Sequence, residues 1–392
     1  MRFLQRFQRS QSQAPAAYSL VDVGRDTVKT AVLLKIPGTA DLQVVGYGIA
    51  ETGNHDVTGG RKEAEAVVDA VNIALTRAED SAEQVIGQKI VPDDVIFAVA
   101  GRATVGKLVT VRQTRDRFSA PVTEKELNKL RLKAERLLPQ ALVESAFEGG
   151  QWLPLAATDA GLMLDNRHVV GGIGLPGREM SLSVFGVAVQ VSALRALEVL
   201  AEALNLNLVN VVAAPHALAS VSPAAEAIIM DIGFTGTDIC LVRRNALVAT
   251  DWIPFGGHFF TRALIEGLKI TPIEANRLKH AFAAGELLDG PQADAVAGHL
   301  EKALYRWYRA AMEVLRQFAL TGPLPRRIYL TGAASQLDGP DWLLKSDAGP
   351  FEAVPEVGYL GQSSLPMVQN LTEAMNYTQM ALTLSLSIGV PE

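Results

Sequence analysis

Two segments far apart in this chain follow one pattern: Tyr18–Lys29 (YSLVDVGRDTVK) and Ile228–Ile239 (IIMDIGFTGTDI) each run as an apolar strand into Asp-x-Gly and resume as a second strand. A single Asp-x-Gly turn constrains little, because turns of that composition occur in many sheets without a ligand. A repeated strand-turn-strand unit constrains far more, since it implies two lobes built on the same opening move. Each turn places a carboxylate, Asp22 or Asp231, beside freed backbone N–H groups, an arrangement that suits a magnesium-bound polyphosphate. Two such turns facing across a cleft would clamp one nucleotide.

The rest of the chain supports this organisation. Alternating apolar residues predict strands over Ser19–Val23, Thr27–Leu34 and Gln43–Ile49, then a helix over Lys62–Glu83 and a strand over Val95–Ala100. Gly101-Arg102 opens a region of different character, with a charged helix over Thr123–Leu138 headed by the capping box Thr123-x-x-Glu126 and strands around Gln151–Thr158 and Ser181–Val189. A helix over Ser192–Leu204 and a strand over Val209–Ala213 precede the second strand-turn-strand, which a third strand, Ala246–Ile253, completes. Helices dominate from Phe259 to Leu320, a strand follows at Arg326–Leu330, Pro, Gly and Asp mark loops over Asp338–Gly361, and a last helix spans Thr372–Ile388.

Composition narrows the function classes. With 392 residues, 48% hydrophobic and 20% charged, the chain can bury more than one core. A net charge of −6 without a long basic stripe excludes a nucleic-acid footprint. The one cysteine, Cys240, sits in a strand as a small buried hydrophobe, and six scattered histidines lack ligand spacing. No signal peptide or membrane-spanning run is visible, so a cytoplasmic compartment is expected.

Residues 1–13 stand apart. On a helix, Phe3, Leu4 and Phe7 share one face while Arg2, Arg6 and Arg9 gather on the other, a short membrane-surface pattern for an anionic bilayer. The alternative is a tail that merely holds three apolar residues. Three such side chains offer roughly 5–7 kcal/mol before ordering costs, so one copy would bind weakly and an array of copies well.

From Ala17 onward the sequence resembles the FtsA family of actin/Hsp70-like ATPases, with PilM of type IV pilus machinery as the close relative. The carrying segments are Asp22-Val23-Gly24, Val95–Gly101, Asp231–Asp238, Trp252-Ile253-Pro254-Phe255-Gly256-Gly257-His258, Glu274-Ala275-Asn276-Arg277-Leu278-Lys279 and Leu330-Thr331-Gly332-Ala333-Ala334-Ser335. The resemblance implies an α/β, actin-like (ribonuclease H-like) two-lobed fold with duplicated β-sheet cores and an inserted α+β subdomain. The expected organisation is an amphipathic segment and candidate anchor at 1–13, a first actin-like core at 18–103, an inserted subdomain at 104–186, and a return to the first core at 187–225. The second core follows at 226–258 and 323–360, interrupted by a helical nucleotide-capping subdomain at 259–322, and the last helix of 361–392 returns to the first core.

The cofactors so implied are ATP or ADP with Mg²⁺, and the resemblance carries the roles residue by residue. Asp22 and Asp231 would hold Mg²⁺ through water. Gly24, Arg25, Asp26, Thr27 and Lys29 in one turn, and Gly233, Phe234, Thr235 and Gly236 in the other, would cradle phosphates. Gly256 and Gly257 would approach the ligand by backbone, Asn276, Arg277 and Lys279 would meet ribose and base, and Gly332, Ala333 and Ala334 would pass beneath the adenosine. Phe234 and Thr235 replace two glycines usual in the family, Ala333-Ala334 a glycine pair, Asn276 a frequent Glu and His258 a usual Asp. Ala214, immediately before Pro215, stands where the family places a Glu that helps order the attacking water, which implies a weak ATPase at most.

The implied function is an adaptor that polymerises with itself on the inner face of the cytoplasmic membrane, anchored by residues 1–10, and ties a tubulin-like (FtsZ-like) division filament or other division proteins to it. The family's usual C-terminal anchor is not found after Ile388, which makes residues 1–10 the expected replacement. Leu164-Asp165-Asn166-Arg167 and Gly171–Ser183 resemble FtsA more than PilM. Two alternatives remain: a PilM-like adaptor binding the cytoplasmic tail of a membrane protein, and a sugar or acyl kinase of the same superfamily.

Overall fold

A computed structural model of the chain describes residues 15–39, 41–58, 61–146, 150–287, 290–364, 368–372 and 375–391. The amphipathic reading of residues 1–13 lies outside the described residues.

Two sheets carry the duplication. The first is built from β1 (Ala16–Val23), β2 (Thr27–Lys35), β3 (Leu42–Glu51), β4 (Asp94–Val99) and β9 (Asn207–Ala213), with β15 (Val368–Asn370) on its edge, in the order β15-β3-β2-β1-β4-β9. The second is built from β10 (Glu226–Ile232), β11 (Thr237–Arg243), β12 (Ala246–Ile253), β13 (Arg327–Thr331) and β14 (Glu356–Tyr359), in the order β12-β11-β10-β13-β14. Three antiparallel strands followed by parallel pairings recur strand for strand. The near-continuous apolar runs of β1 and β10 are explained by burial on both faces: Leu20, Val21, Ile228, Ile229 and Met230 are all fully buried.

The crossovers differ between lobes. α1 (Arg61–Ile86) carries the chain from β3 to β4, presenting Val67, Ala70, Val71, Ala74 and Ala78 to the sheet. Thr30 anchors it by donating from its hydroxyl to the Ala74 carbonyl at 2.8 Å. In the second lobe the same step is made by α5 (Gly257–Leu268), α6 (Pro272–Ala283) and α7 (Pro291–Ala319), which pack around the fully buried Trp307.

Between β4 and β9 the first lobe carries a four-stranded sheet of order β5-β8-β6-β7, made of β5 (Thr104–Thr114), β6 (Trp152–Leu164), β7 (Arg167–Val169) and β8 (Glu179–Gln190). Helix α2 (Glu124–Ser145) covers one face with Leu130, Ala134, Leu138 and Leu142, and its capping box is formed by Thr123 and Glu126. α3 (Val191–Ala203) then leads to β9, and the short α4 (Ala214–Ser220) lies between the lobes.

α8 (Pro340–Leu344) and β14 fall in the stretch 338–361 that composition marks as loop; β14 is four residues long and is held by parallel pairing to β13. The last helix, α9 (Tyr377–Ser385), starts later than Thr372 because Asn376 caps it, accepting from the Gln379 N–H at 3.1 Å. It ties the lobes together. The Thr378 carbonyl accepts from the Thr331 hydroxyl at 2.8 Å in the second lobe, while Met380, Ala381 and Leu384 enter the core of the first.

Candidate functional site

The two Asp-x-Gly turns line one cavity of about 920 Å³. Of the residues read from the sequence, it brings together Asp22, Gly24, Arg25, Asp26, Thr27 and Lys29 from the first lobe with Asp231, Gly233, Phe234, Thr235 and Gly236 from the second. Gly257, Lys279, Gly332, Ala333 and Ala334 complete the set. Gly256, Asn276 and Arg277 do not line it. α6 instead turns Lys279, His280 and Ala283 to the cavity, and Arg277 is exposed.

The turns are built alike. The Gly24 N–H donates to the Thr27 carbonyl at 3.1 Å, and the Gly233 N–H to the Gly236 carbonyl at 2.9 Å. No hydrogen bond to another described residue is made by the backbone N–H of Arg25, Asp26, Phe234 or Thr235. These four donors remain free for an acceptor in the cavity.

The Pro-Phe-Gly-Gly segment backs the second turn. The Gly257 N–H donates to the Gly233 carbonyl and the His258 N–H to the Phe234 carbonyl, both at 2.9 Å. A Cβ on Gly256 would stand 2.4 Å from the Gly233 carbonyl oxygen, so this glycine is required by the close approach of the two backbones rather than by a ligand. Thr237 fastens the same corner, donating to the Phe255 carbonyl at 2.7 Å and accepting from the Trp307 indole at 2.9 Å. Phe234 packs its ring 5.2 Å from that of His258.

The charges on the cavity floor are unevenly compensated. Asp22 faces Lys29 across the β1–β2 ladder and pairs with it at 3.1 Å. Burial opposes the Lys29 ammonium, but the charges of Asp22 and Asp231 and the hydrogen bond to Asp22 outweigh it, and its pKa is raised. Asp231 faces Asp238 across the β10–β11 ladder. Burial, opposed by Lys29 and reinforced by Asp22, pushes Asp231 up to about 6, and no described residue hydrogen-bonds to its carboxylate. Burial and the charge of Asp231 raise Asp238 well above the usual range, although it accepts the Gly101 N–H at 3.1 Å.

Gly332 completes the floor. It sits at φ 86°, and a Cβ there would stand 2.2 Å from a carboxylate oxygen of Asp231. Only glycine satisfies both the backbone angle and the space. On the capping side Lys279 donates to the Thr261 hydroxyl at 2.8 Å, and burial lowers its pKa.

Asp238, Trp252, His280, Gln336 and Gln379 also line the cavity; the first two fall in segments that carry the family resemblance, and none of the five is given a binding role from the sequence. Asp238 was reachable, because it ends the repeated segment and the hairpin register places it opposite Asp231. Ala214 lies in the core between the lobes and outside the cavity lining.

The residues present fit a hydrated divalent cation with a polyphosphate. A buried carboxylate without a donor calls for positive charge, and free N–H groups call for an anion beside it. Among the described residues no group of three or more His, Cys, Asp or Glu could hold a metal ion by itself, so a cation here would draw the rest of its shell from water or phosphate.

The family model for cell division protein FtsA matches residues 228–392. Cell division protein FtsA of Agrobacterium fabrum is 23% identical over 333 residues, covering 78% of this chain and 71% of the relative. That of Pseudomonas aeruginosa is 22% identical over 343 residues, covering 81% and 78%. Among solved structures, the PilM-PilN type IV pilus biogenesis complex has a TM-score of 0.63 at 16% identity and covers 97% of this chain and 100% of that one. Ethanolamine utilization protein EutJ from Carboxydothermus hydrogenoformans has a TM-score of 0.52 at 13% identity, covering 98% and 94%. The chain is similar to FtsA in sequence, and its fold is actin-like.

Proposed function

We propose that this FtsA-like chain of actin-like fold binds ATP or ADP with Mg²⁺ between its two Asp-x-Gly turns, polymerises with itself at the inner face of the cytoplasmic membrane, and tethers a tubulin-like division filament to it. The observation that carries the reading is the convergence of both turns, with Asp22, Asp231 and four unengaged N–H groups, on a single cavity. Asp22 and Asp231 would hold the hydrated Mg²⁺, and the cation supplies the positive charge that Asp231 lacks. Arg25, Lys29 and the turn amides would orient the phosphates, with Lys279 and the Gly332–Ala334 turn at the nucleoside end. Hydrolysis is expected to be very slow, since the residue before Pro215 is an alanine buried away from the cavity.

Membrane attachment is assigned to residues 1–10. Electron microscopy of the protein on anionic lipid monolayers with Mg-ATP tests the polymer: ordered filaments for the full chain, absent when residues 1–10 are removed, support the reading. Bare monolayers for both, with a one-to-one complex on a membrane-protein tail peptide, would favour a PilM-like adaptor instead. Steady-state turnover comparable to that of an active chaperone ATPase would contradict the slow-hydrolysis part.

A further inference from the structure

The end of the inserted sheet farthest from the cavity carries apolar side chains that the nucleotide-binding reading does not use. Phe118 is 57% exposed, Val170 103%, Ile173 55% and Leu175 44%. They sit on two loops, 115–122 and 170–178, which join β5 to α2 and β7 to β8. From Val169 to Gly177 the sequence holds no polar side chain. A run of that length at the surface of a soluble face is uncommon, and exposed apolar clusters mark interaction sites.

The backbone shows what kind of partner these loops suit. The Gly172 N–H donates to the Val170 carbonyl at 2.9 Å, Ile173 to Gly171 at 2.8 Å, Leu175 to Gly172 at 3.3 Å, and Gly174 and Gly177 to Val122 and Phe118 of the other loop at 2.9 and 3.0 Å. The Val122 N–H returns a bond to the Leu175 carbonyl at 2.8 Å. Pro176 has no N–H to satisfy. Three of these bonds cross between the loops and three lie within 170–178, so the apolar stretch satisfies much of its own backbone, as a segment must if it is to leave water without a protein strand to pair with.

The loops are pinned at their base by Arg115, and charges of both signs flank them. Buried Arg115 donates to the Ala120 and Gly177 carbonyls at 3.0 and 2.8 Å and pairs with Glu126 at 2.9 Å, pinning both loops at their base. Arg117, Arg167 and Arg178 border the apolar run, with Asp116 and Glu179 beside them. Asp165 is engaged as acceptor for the Arg178 and Glu179 N–H groups at 2.9 and 2.8 Å. Residues 104–186 hold eleven Lys and Arg against nine Asp and Glu, whereas the whole chain holds 36 against 42. The inserted subdomain is thus a part of an acidic chain that an anionic surface does not repel.

We propose that this tip is a second membrane contact, in which Phe118, Val170, Ile173 and Leu175 enter the interfacial layer of an anionic bilayer. It rests on the reading that the protein works at a membrane, but on residues separate from the 1–10 segment. The test is co-sedimentation of the full chain and the V170D/I173D double variant with vesicles of equal parts phosphatidylcholine and phosphatidylglycerol, alongside light scattering of both proteins without lipid. A third arm places an environment-sensitive fluorophore on Ile173→Cys and adds vesicles carrying spin-labelled acyl chains.

The expected result is a loss of vesicle affinity of about tenfold or more in the double variant, because two carboxylates replace two apolar contacts. The melting temperature should be unchanged and the Ile173→Cys probe quenched by the spin-labelled lipid. Vesicle binding equal to that of the parent chain, with an unquenched probe, would overturn the tip contact while leaving an anchor at residues 1–10 standing. No vesicle binding by the parent chain would overturn both. A change of oligomeric state in the double variant, with the probe unquenched, would assign the tip to a second copy of the chain and overturn the lipid assignment.

Discussion

The two strand-turn-strand units are alike in backbone and unlike in charge. At the same step of the ladder, the first lobe sets Asp22 against Lys29 and the second sets Asp231 against Asp238. Unlike charges facing each other across two strands stabilise the pair, and like charges destabilise it. The first turn is therefore neutralised by its own sequence, whereas the second holds two buried carboxylates answered by one distant ammonium and one backbone N–H. In the proposed nucleotide complex this asymmetry would make the second lobe the half whose carboxylates the bound cation compensates.

Breaking the second lobe's floor should have the largest effect. Gly332→Ala introduces both an unfavourable φ and a clash with Asp231, and is expected to cost about 2–4 kcal/mol. Thermal unfolding measures it; an unchanged melting temperature would mean that the floor can shift freely.

Next come paired neutralisations with opposite signs. Asp22→Asn leaves Lys29 buried without its partner and should destabilise the ligand-free protein by about 1–3 kcal/mol at neutral pH. Asp231→Asn removes an uncompensated carboxylate and should stabilise it by about 1–3 kcal/mol. Denaturant unfolding of both distinguishes them, and equal signs would remove the contrast between lobes.

The same contrast predicts a pH dependence. Asp231 moves from 3.8 to about 6 on folding, so the native state keeps a proton that the unfolded chain has released. Its contribution to ligand-free stability is present at low pH, declines as pH rises from about 4 to about 6, and is flat above. Magnesium-dependent nucleotide affinity should run the other way, strengthening as pH rises through about 6, because the cation needs the ionised carboxylate. Titrations across that range, repeated with Asp231→Asn, should show the step disappear in the variant.

Phe234→Gly should have the smallest effect. Phe234 packs on His258 within its own lobe, so restoring a glycine is expected to change nucleotide affinity by less than about tenfold. A larger change would show that the phenyl ring contacts the ligand.

What could be read from the sequence follows from how local the determining forces are. The hairpins, α1, α2 with its capping box, and the return to a second sheet at Ala227 all rest on short-range periodicity and turn chemistry, which residues announce by themselves. β5 was not recognised because Gly106 and Lys107 interrupt its alternation, yet Val105, Val109 and Val111 still face α2. β14 and β15 consist of four and three residues, held by pairing to β13 and β3 that no local pattern reveals. In the site, both turns are legible, and of the three α6 residues read from the sequence Lys279 lines the cavity while Asn276 and Arg277 do not. The orientation of Lys279 and His280 depends on how α6 packs against α5 and α7, which is a tertiary fact.

The most direct measurement is calorimetric titration of ATP and ADP into the intact protein, with and without Mg²⁺, and into Asp231→Asn. A clamp made by both turns predicts one site per chain, binding that strengthens with Mg²⁺, and loss of that strengthening in the variant. Absence of binding for both nucleotides, or binding indifferent to both Mg²⁺ and Asp231, would contradict it.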